Sequence, residues 1–189
     1  MRVIAGRHKG RRLQPPRWEG LRPTSDRLRE TLFNVLAPRV AGAHVLDACA
    51  GTGAVGIEAL SRGAAHVTFV DRDVRAVRLI ARNLQGCGVA DGYTIERGEL
   101  RAVLDRPGGA GRFDIVFLDP PYEAPEVERV LASCAAHLKA DGVLVLERAS
   151  RRVPDVPASL RHVRDVRSGD STLSFFAPVP GADEPGEAS

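Results

Sequence analysis

His44-Val45-Leu46-Asp47-Ala48-Cys49-Ala50-Gly51-Thr52-Gly53-Ala54-Val55-Gly56 is the stretch on which the fold turns. Val45-Leu46-Asp47 reads as a short buried strand, and a glycine turn then leads into a helical pattern that ends near Gly63. Gly51, Gly53 and Gly56 have the G-x-G-x-x-G spacing, in which glycines permit a tight turn and a close approach of backbone to ligand and of helix to strand. Asp71 lies 20 residues beyond Gly51, at the end of the next apolar run, where an acid serves ribose hydroxyls. Strand, turn and helix in that order give the motif its structural setting.

Outward from this loop, strand-like and helix-like apolar spacings alternate. Upstream, Thr24-Ser25-Asp26 offers N-cap side chains for a helix expected to run to about Ala37 and to stop at Pro38. Downstream, His66–Val70 reads as a strand and Val74 to Leu84 as a helix terminated around Gly86. Tyr93–Glu96 is a strand with a short helix after it, and Phe113–Leu118 is a continuously apolar strand, as expected where both sheet faces are covered. Val127, Val130, Leu131, Cys134 and Leu138 recur at helical spacing, and Val143–Glu147 is a fifth buried strand. Val163–Arg167 and Thr172–Ala177 flank Ser168-Gly169-Asp170 as an antiparallel hairpin. The expectation is an α/β fold: a doubly wound, mostly parallel seven-stranded sheet with an antiparallel C-terminal hairpin and a basic N-terminal extension.

With 189 residues, 43% hydrophobic and 27% charged, the chain suits one domain with a sizeable core. No apolar run approaches a membrane span, and the N-terminus shows no signal-peptide pattern, so a cytoplasmic location is expected. The three cysteines, Cys49, Cys87 and Cys134, have no zinc or disulfide spacing, and no metal is expected. The net charge of +3 is uneven. Residues 1–39 hold ten Lys/Arg against three acids, +7, which leaves −4 for the rest. A basic arm on a mildly acidic body suits a polyanion such as nucleic acid; a solvated arginine-rich face is the plainer alternative.

Asp47 decides between ligands for the glycine loop. A dinucleotide would lay its pyrophosphate over this turn, and at ~4 Å with an effective dielectric of ~20 one like-charge pair costs about 4 kcal/mol. S-adenosylmethionine reverses that sign, having an ammonium, a sulfonium and no phosphate. Asp47 could instead only orient loop amides. Glu99, after the third strand, is placed to accept from the adenine amino group or, alternatively, to cap the short helix next to it. Asp119-Pro120-Pro121-Tyr122 ends the fourth strand, where open parallel sheets bind ligands. Two prolines fix the backbone and leave carbonyl acceptors. The Asp119 carboxylate and the Pro120 carbonyl suit the two hydrogens of an exocyclic amine, aiming its lone pair at a methyl carbon. Tyr122 provides a stacking plate for an unpaired base.

The Asp47 loop, Asp71 and the Asp119–Tyr122 motif together resemble the class I S-adenosylmethionine-dependent methyltransferases acting on exocyclic amines. Arg2–Leu13, Leu21–Asn34 and Gly56–Ala64 are similar to the RsmD family. Ala5 and Thr52 depart from that family's usual glycine and serine. The resemblance runs from residue 2 to about 177 and implies transfer of methyl to N2 of a guanine in 16S ribosomal RNA, within a small ribosomal subunit or assembly intermediate. It implies cofactor contacts from Asp47, Gly51, Gly53, Asp71 and Glu99, and target-amine contacts from Asp119, Pro120, Pro121 and Tyr122. Arg2, Arg7, Lys9, Arg11, Arg12 and Arg22 would contact RNA phosphates.

The expected organisation is an RNA-facing arm and helix (1–39), a methyltransferase domain (40–177) and a disordered tail (178–189), acting as a monomer. Arg27, Thr31 and Asn34 share a helical face that could close over the cofactor. Arg75, Arg78 and Arg82 form a stripe read as a solvated face. Two competing functions remain in view: an adenine-N6 methyltransferase, and an NAD-dependent oxidoreductase suggested by the glycine spacing. A silent RNA-binding module is a further possibility, which the intact Asp119–Tyr122 set argues against.

Overall fold

The computed structural model describes residues 1–19, 24–106, 111–120 and 124–180. Among them the helices are α1 (Asp26–Val40), α2 (Ala54–Ser61), α3 (Val74–Cys87), α4 (Leu100–Leu104) and α5 (Ala124–Ala135). The strands are β1 (His44–Ala48), β2 (His66–Asp71), β3 (Tyr93–Arg97), β4 (Phe113–Leu118), β5 (Leu138–Ala149), β6 (Leu160–Ser168) and β7 (Ser171–Pro178). They form one sheet in the order β3-β2-β1-β4-β5-β7-β6, with β1 to β5 parallel and β7 antiparallel to both β5 and β6. The expected fold class, hairpin included, is the one observed.

Strand alternation splits the core in two. Val45, Ile115, Phe117 and Val145 face α1, α2 and α3, while Leu46, Ala48, Val116, Leu118 and Leu144 face α4 and α5. With both faces covered, the central strands carry few polar residues. No helix among the described residues is long and apolar enough to cross a membrane. Strand order reverses between β1 and β4, and at such a point the carboxyl ends of the strands open onto a crevice.

Several boundaries differ from those expected. Ser25 caps α1 as anticipated, accepting from Leu28 N, but Pro38 sits within the last turn and does not end the helix. The missing proline N–H forgoes one bond near the terminus, while Val40 at the helix end is buried. Helix α3 runs through Gly86 to Cys87, and the left-handed residue that ends it is Gly88, φ +72°. Leu138 opens β5, which is longer than Val143–Glu147 at both ends, instead of closing α5. Pro178 pairs with Leu160 and Val179 N donates to Ser159 O at 2.8 Å, so the first residues assigned to the tail belong to the sheet edge. Residues 181–189 lie outside the described residues.

The first 14 residues form a small hairpin, with an antiparallel bridge between Arg2 and Arg12 and Val3 and Leu13 buried in the α1–α3 core.

Candidate active site

The crevice begins with the turn after β1. Asp47 is buried, and its Oδ2 accepts the Gly56 N–H at 2.8 Å, tying the strand end to the first turn of α2. Gly56 has no room for a side chain: a Cβ there would lie 2.3 Å from Phe69 Cε1 on β2. Helix α2 therefore packs directly on the sheet, as the third glycine of the motif predicts. Gly53 is the left-handed N-cap residue of α2 and its N–H donates to Ala50 O at 2.7 Å. Asp71 secures the other side of the turn. Its Oδ2 accepts Gly51 N at 2.9 Å and its Oδ1 accepts Asp73 N at 2.8 Å.

A cleft of about 440 Å³ opens over these groups. It is lined by Asp47, Gly51, Asp71, Glu99, Asp119 and Pro120, so six of the nine expected site residues come together there. Gly53 is not on the wall; it shapes the turn from behind. Pro121 and Tyr122 lie outside the described residues. Glu99 is the N-cap residue of α4 but makes no side-chain cap bond, and its carboxylate instead meets Arg72 at 3.4 Å. The capping alternative for Glu99 is therefore not what the fold uses. Arg27, Thr31 and Asn34 do not line the cleft. Arg75 does, held by Asp73 at 2.7 Å and lying 5.1 Å over the Trp18 ring, so it is not a bare solvated stripe.

The cleft is electrostatically crowded with acids. Burial pushes the Asp47 carboxyl up to about 8; the charges of Asp71 and Asp119 add to this, and the Gly56 N–H opposes it. Asp119 is pushed up to about 7, by burial first and by Glu147 second. Glu147, on β5, is itself raised by burial, against two hydroxyl donors: Thr24 Oγ1 at 3.2 Å and Ser171 Oγ at 3.4 Å. Burial raises the Cys49 thiol as well, so this cysteine is a neutral wall and no thiolate nucleophile.

The donor set tests which cofactor fits. The amides of Gly51, Gly53 and Gly56 are already bonded, two of them to carboxylates. A pyrophosphate over this turn is best served by free amides and no carboxylate beneath it, and here Asp47 occupies that place; Asp71 suits a ribose in either ligand. A ligand with cationic groups and ribose hydroxyls, such as S-adenosylmethionine, finds acceptors facing it.

Several residues that organise this site are missing from the sequence expectations. Glu58 on α2, fully buried, accepts Ile4 N at 2.7 Å and Ala5 N at 2.9 Å and so anchors the N-terminal hairpin. It also pairs with Arg62 at 2.8 Å and with the fully buried Arg29 at 3.5 Å. Asn83 on α3 accepts Gln14 N and donates to Thr52 O, joining the arm to the glycine turn. From there the chain reaches Trp18 and Glu19, which line the cleft. Glu147 is another, and it carries a signal: like Asp47, Asp71 and Asp119, it is an acid that closes an apolar run read as a buried strand. Of the expected RNA contacts, Arg2, Arg7, Lys9, Arg11 and Arg12 are exposed on the hairpin, and Arg22 lies outside the described residues.

This sheet order, with an acidic cleft over its reversal point, is the architecture of the Rossmann-like class I methyltransferases. The family described as "Conserved hypothetical protein 95" matches residues 1–177, and the chain belongs to that family. A relative from Escherichia coli strain K12, named "Ribosomal RNA small subunit methyltransferase D", is 35% identical over 179 residues, 93% of this chain and 89% of its own. A relative of the same name from Haemophilus influenzae is 41% identical over 134 residues, 70% of this chain and 69% of its own. The solved structure of yhhF from Escherichia coli matches with a TM-score of 0.80 at 31% identity, over 94% of this chain and 97% of that one. The motif-level resemblance to the RsmD family is thus borne out.

Proposed function

We propose that the protein transfers a methyl group from S-adenosylmethionine to the exocyclic N2 amine of a guanine in 16S ribosomal RNA, presented by a small ribosomal subunit or an assembly intermediate. One observation carries the reading: the carboxylates that use up the glycine-loop amides, Asp47 and Asp71, share a cleft with Asp119 and Pro120. A cation-accepting cofactor site beside an amine-accepting strand end is the juxtaposition methyl transfer to nitrogen needs. The names of the relatives supply the RNA.

When bound, S-adenosylmethionine supplies a methyl carbon made electrophilic by its sulfonium. Asp47 would hold the cationic methionine end, Asp71 the ribose hydroxyls, and Glu99 the adenine amino group. The Asp119 carboxylate and the Pro120 carbonyl hold the target amine's two hydrogens, so that its lone pair points along the line of displacement. The sulfonium would leave with the S–C electron pair as the amine nitrogen takes the methyl group, and Asp119 would accept the N–H proton that the amine loses. Pro121 and Tyr122, the next two residues of the motif, are assigned to the target base, with Tyr122 as its stacking plate. Exposed Arg2, Arg7, Lys9, Arg11 and Arg12, with Arg22, contact phosphates and supply affinity more than sequence choice.

The test is direct. Small subunits from a strain lacking the endogenous enzyme are incubated with labelled S-adenosylmethionine, and the RNA is digested to nucleosides. Labelled N2-methylguanosine, absent with Asp119→Ala, is the expected product. Label on adenosine would replace the target with adenine-N6, and NADH binding without S-adenosylmethionine binding would overturn the cofactor.

A further inference from the structure

Asp119 has a carboxylate neighbour to which the methyl-transfer mechanism assigns no part. The β4–β5 register pairs Phe117 with Val145 and Leu118 with Leu146, so the next residues along the two parallel strands are Asp119 and Glu147. Phe117 and Val145 both join the α1–α3 core, and two residues further on Asp119 and Glu147 continue that face of the sheet. Glu147 is held there from two other elements. Thr24, just before α1 and on the cleft wall, donates to Oε2 at 3.2 Å, and Ser171, opening β7, donates to Oε1 at 3.4 Å. The adjacent cation in the chain is committed elsewhere: Arg148 bonds Asp165 at 2.7 Å and Ser174 at 2.7 Å. Glu147 thus brings a carboxylate, steadied by two hydroxyls and with no guanidinium bonded to it among the described residues, to the side of the residue that touches the target amine.

We propose that Glu147 is a positioning residue of this site: its charge, one strand away from Asp119, keeps Asp119 able to accept the proton that the target amine loses. The proposal rests on methyl transfer to an amine as the reaction. An aryl amine that has gained a methyl group must shed a proton, and an isolated exposed carboxylate binds one weakly. Two carboxylates side by side cannot both ionise cheaply, so the pair retains a proton to much higher pH than either alone. Among the described residues the groups that act on Asp119 agree in sign: Asp47 from β1 and Glu147 from β5 are acidic, and the Cys49 thiol from the turn is neutral. Asp47 is tied to the glycine loop through Gly56 N, whereas the two bonds of Glu147 go to hydroxyls, so its charge is available for this role. Those hydroxyl donors favour the ionised form of Glu147, against the burial that raises it.

The test follows the Asp119 carboxyl carbon by 13C NMR across pH, assigned with Asp119→Asn, in the wild type and in Glu147→Gln. It is paired with the pH profile of kcat/KM for RNA at saturating S-adenosylmethionine. Glu147→Gln is expected to lower the Asp119 midpoint by at least about one pH unit and to move the acidic limb of kcat/KM the same way. Glu147→Asp keeps the charge and is expected to keep the limb. Thr24→Val, which withdraws one donor from Glu147 and shifts the shared proton onto it, is expected to lower the Asp119 midpoint by a smaller amount; this variant serves if Glu147→Gln does not fold. An active wild type whose midpoint and limb are unmoved in these variants overturns this proposal alone, and a rate loss without a limb shift assigns Glu147 a purely structural role. A wild type that methylates no RNA overturns the underlying function as well.

Discussion

Replacing Glu58 by glutamine tests whether the N-terminal hairpin is part of the active-site scaffold. Glu58 and Arg29 are both 0% exposed and 3.5 Å apart, and the same carboxylate accepts Ile4 N and Ala5 N. The amide is nearly isosteric but neutral. It leaves the Arg29 guanidinium with Asp26 as its ion-pair partner, and turns an NH2 toward one of the two backbone N–H groups. Breaking one side of a buried pair costs about 3–5 kcal/mol, and for a chain of this size each kcal/mol lowers Tm by roughly 2–4 °C. The expected drop is therefore about 6–20 °C, read by far-ultraviolet circular dichroism. Limited trypsin digestion gives the local readout, because Arg2, Arg7, Lys9, Arg11 and Arg12 all sit on the hairpin and become cleavable if it detaches. Gly6→Ala reaches the same end without altering charge: at φ +78° a Cβ would lie 1.9 Å from the Ser61 carbonyl oxygen, which is backbone and cannot yield. Both variants should also weaken S-adenosylmethionine binding, because the hairpin leads through Gln14 to Trp18 and Glu19 on the cleft wall. A Glu58→Gln protein that melts within about 2 °C of wild type and resists trypsin equally would refute the reasoning, since about 1 kcal/mol or less is what an exposed ion pair contributes.

The charges of the cleft and arm give further expected outcomes. Asp47 titrates at about 8 and Asp119 at about 7, so both hold protons at pH ~6.5 in the ligand-free protein. A cationic ligand favours the anions, so calorimetry in buffers of different ionisation enthalpy should show proton release on binding S-adenosylmethionine at pH ~6.5, fading by about pH 9; buffer-independent heats at the lower pH would count against the site. By the same linkage the folded state retains protons that the unfolded chain, with an ordinary carboxyl near 3.8, gives up, so ligand-free stability should fall as pH rises from about 4 to about 8, checked by thermal unfolding. Arg11→Glu with Arg12→Glu should weaken RNA binding and flatten its dependence on salt, as fewer phosphates are neutralised. An unchanged salt slope in filter binding would move the RNA surface elsewhere.

What the sequence reveals and what it hides divide along the range of the interactions. Phe113–Leu118 and the Asp47 turn are legible because strand burial and glycine spacing are local patterns, and both stand where the patterns put them. The end of α1 is not legible, because the burial of Val40 outweighs what Pro38 removes, and that burial depends on residues far along the chain. Glu58 looks like an ordinary helix acid. Its partners Ile4, Ala5 and Arg29 are 29 or more positions away, and no local signal couples an acid on α2 to backbone amides at the start of the chain. Glu147 lies between these cases: its place at a strand end is visible, but its pairing with Asp119 needs the register of two strands separated by α5. Asp119 itself stands out because the prolines after it mark it.

The choice of ligand cannot be made by counting glycines, because the same three occur in sites that hold a pyrophosphate and in sites that hold a cation. It is made by where the loop amides point. Here Gly51 N donates to Asp71, Gly53 N to Ala50 O and Gly56 N to Asp47, so the three glycine amides of the loop are already taken by the protein's own carboxylates and carbonyl. Ionising the buried Asp47 costs the ligand-free fold stability, which is why it holds a proton to unusually high pH. A cation entering the cleft takes the place of that proton and recovers the lost interaction. On the proposed function, the excess of acids in the ligand-free cleft is what would favour a sulfonium and ammonium over a phosphate. The Asp119–Glu147 pair applies the same principle one strand further along, to a proton instead of a cofactor.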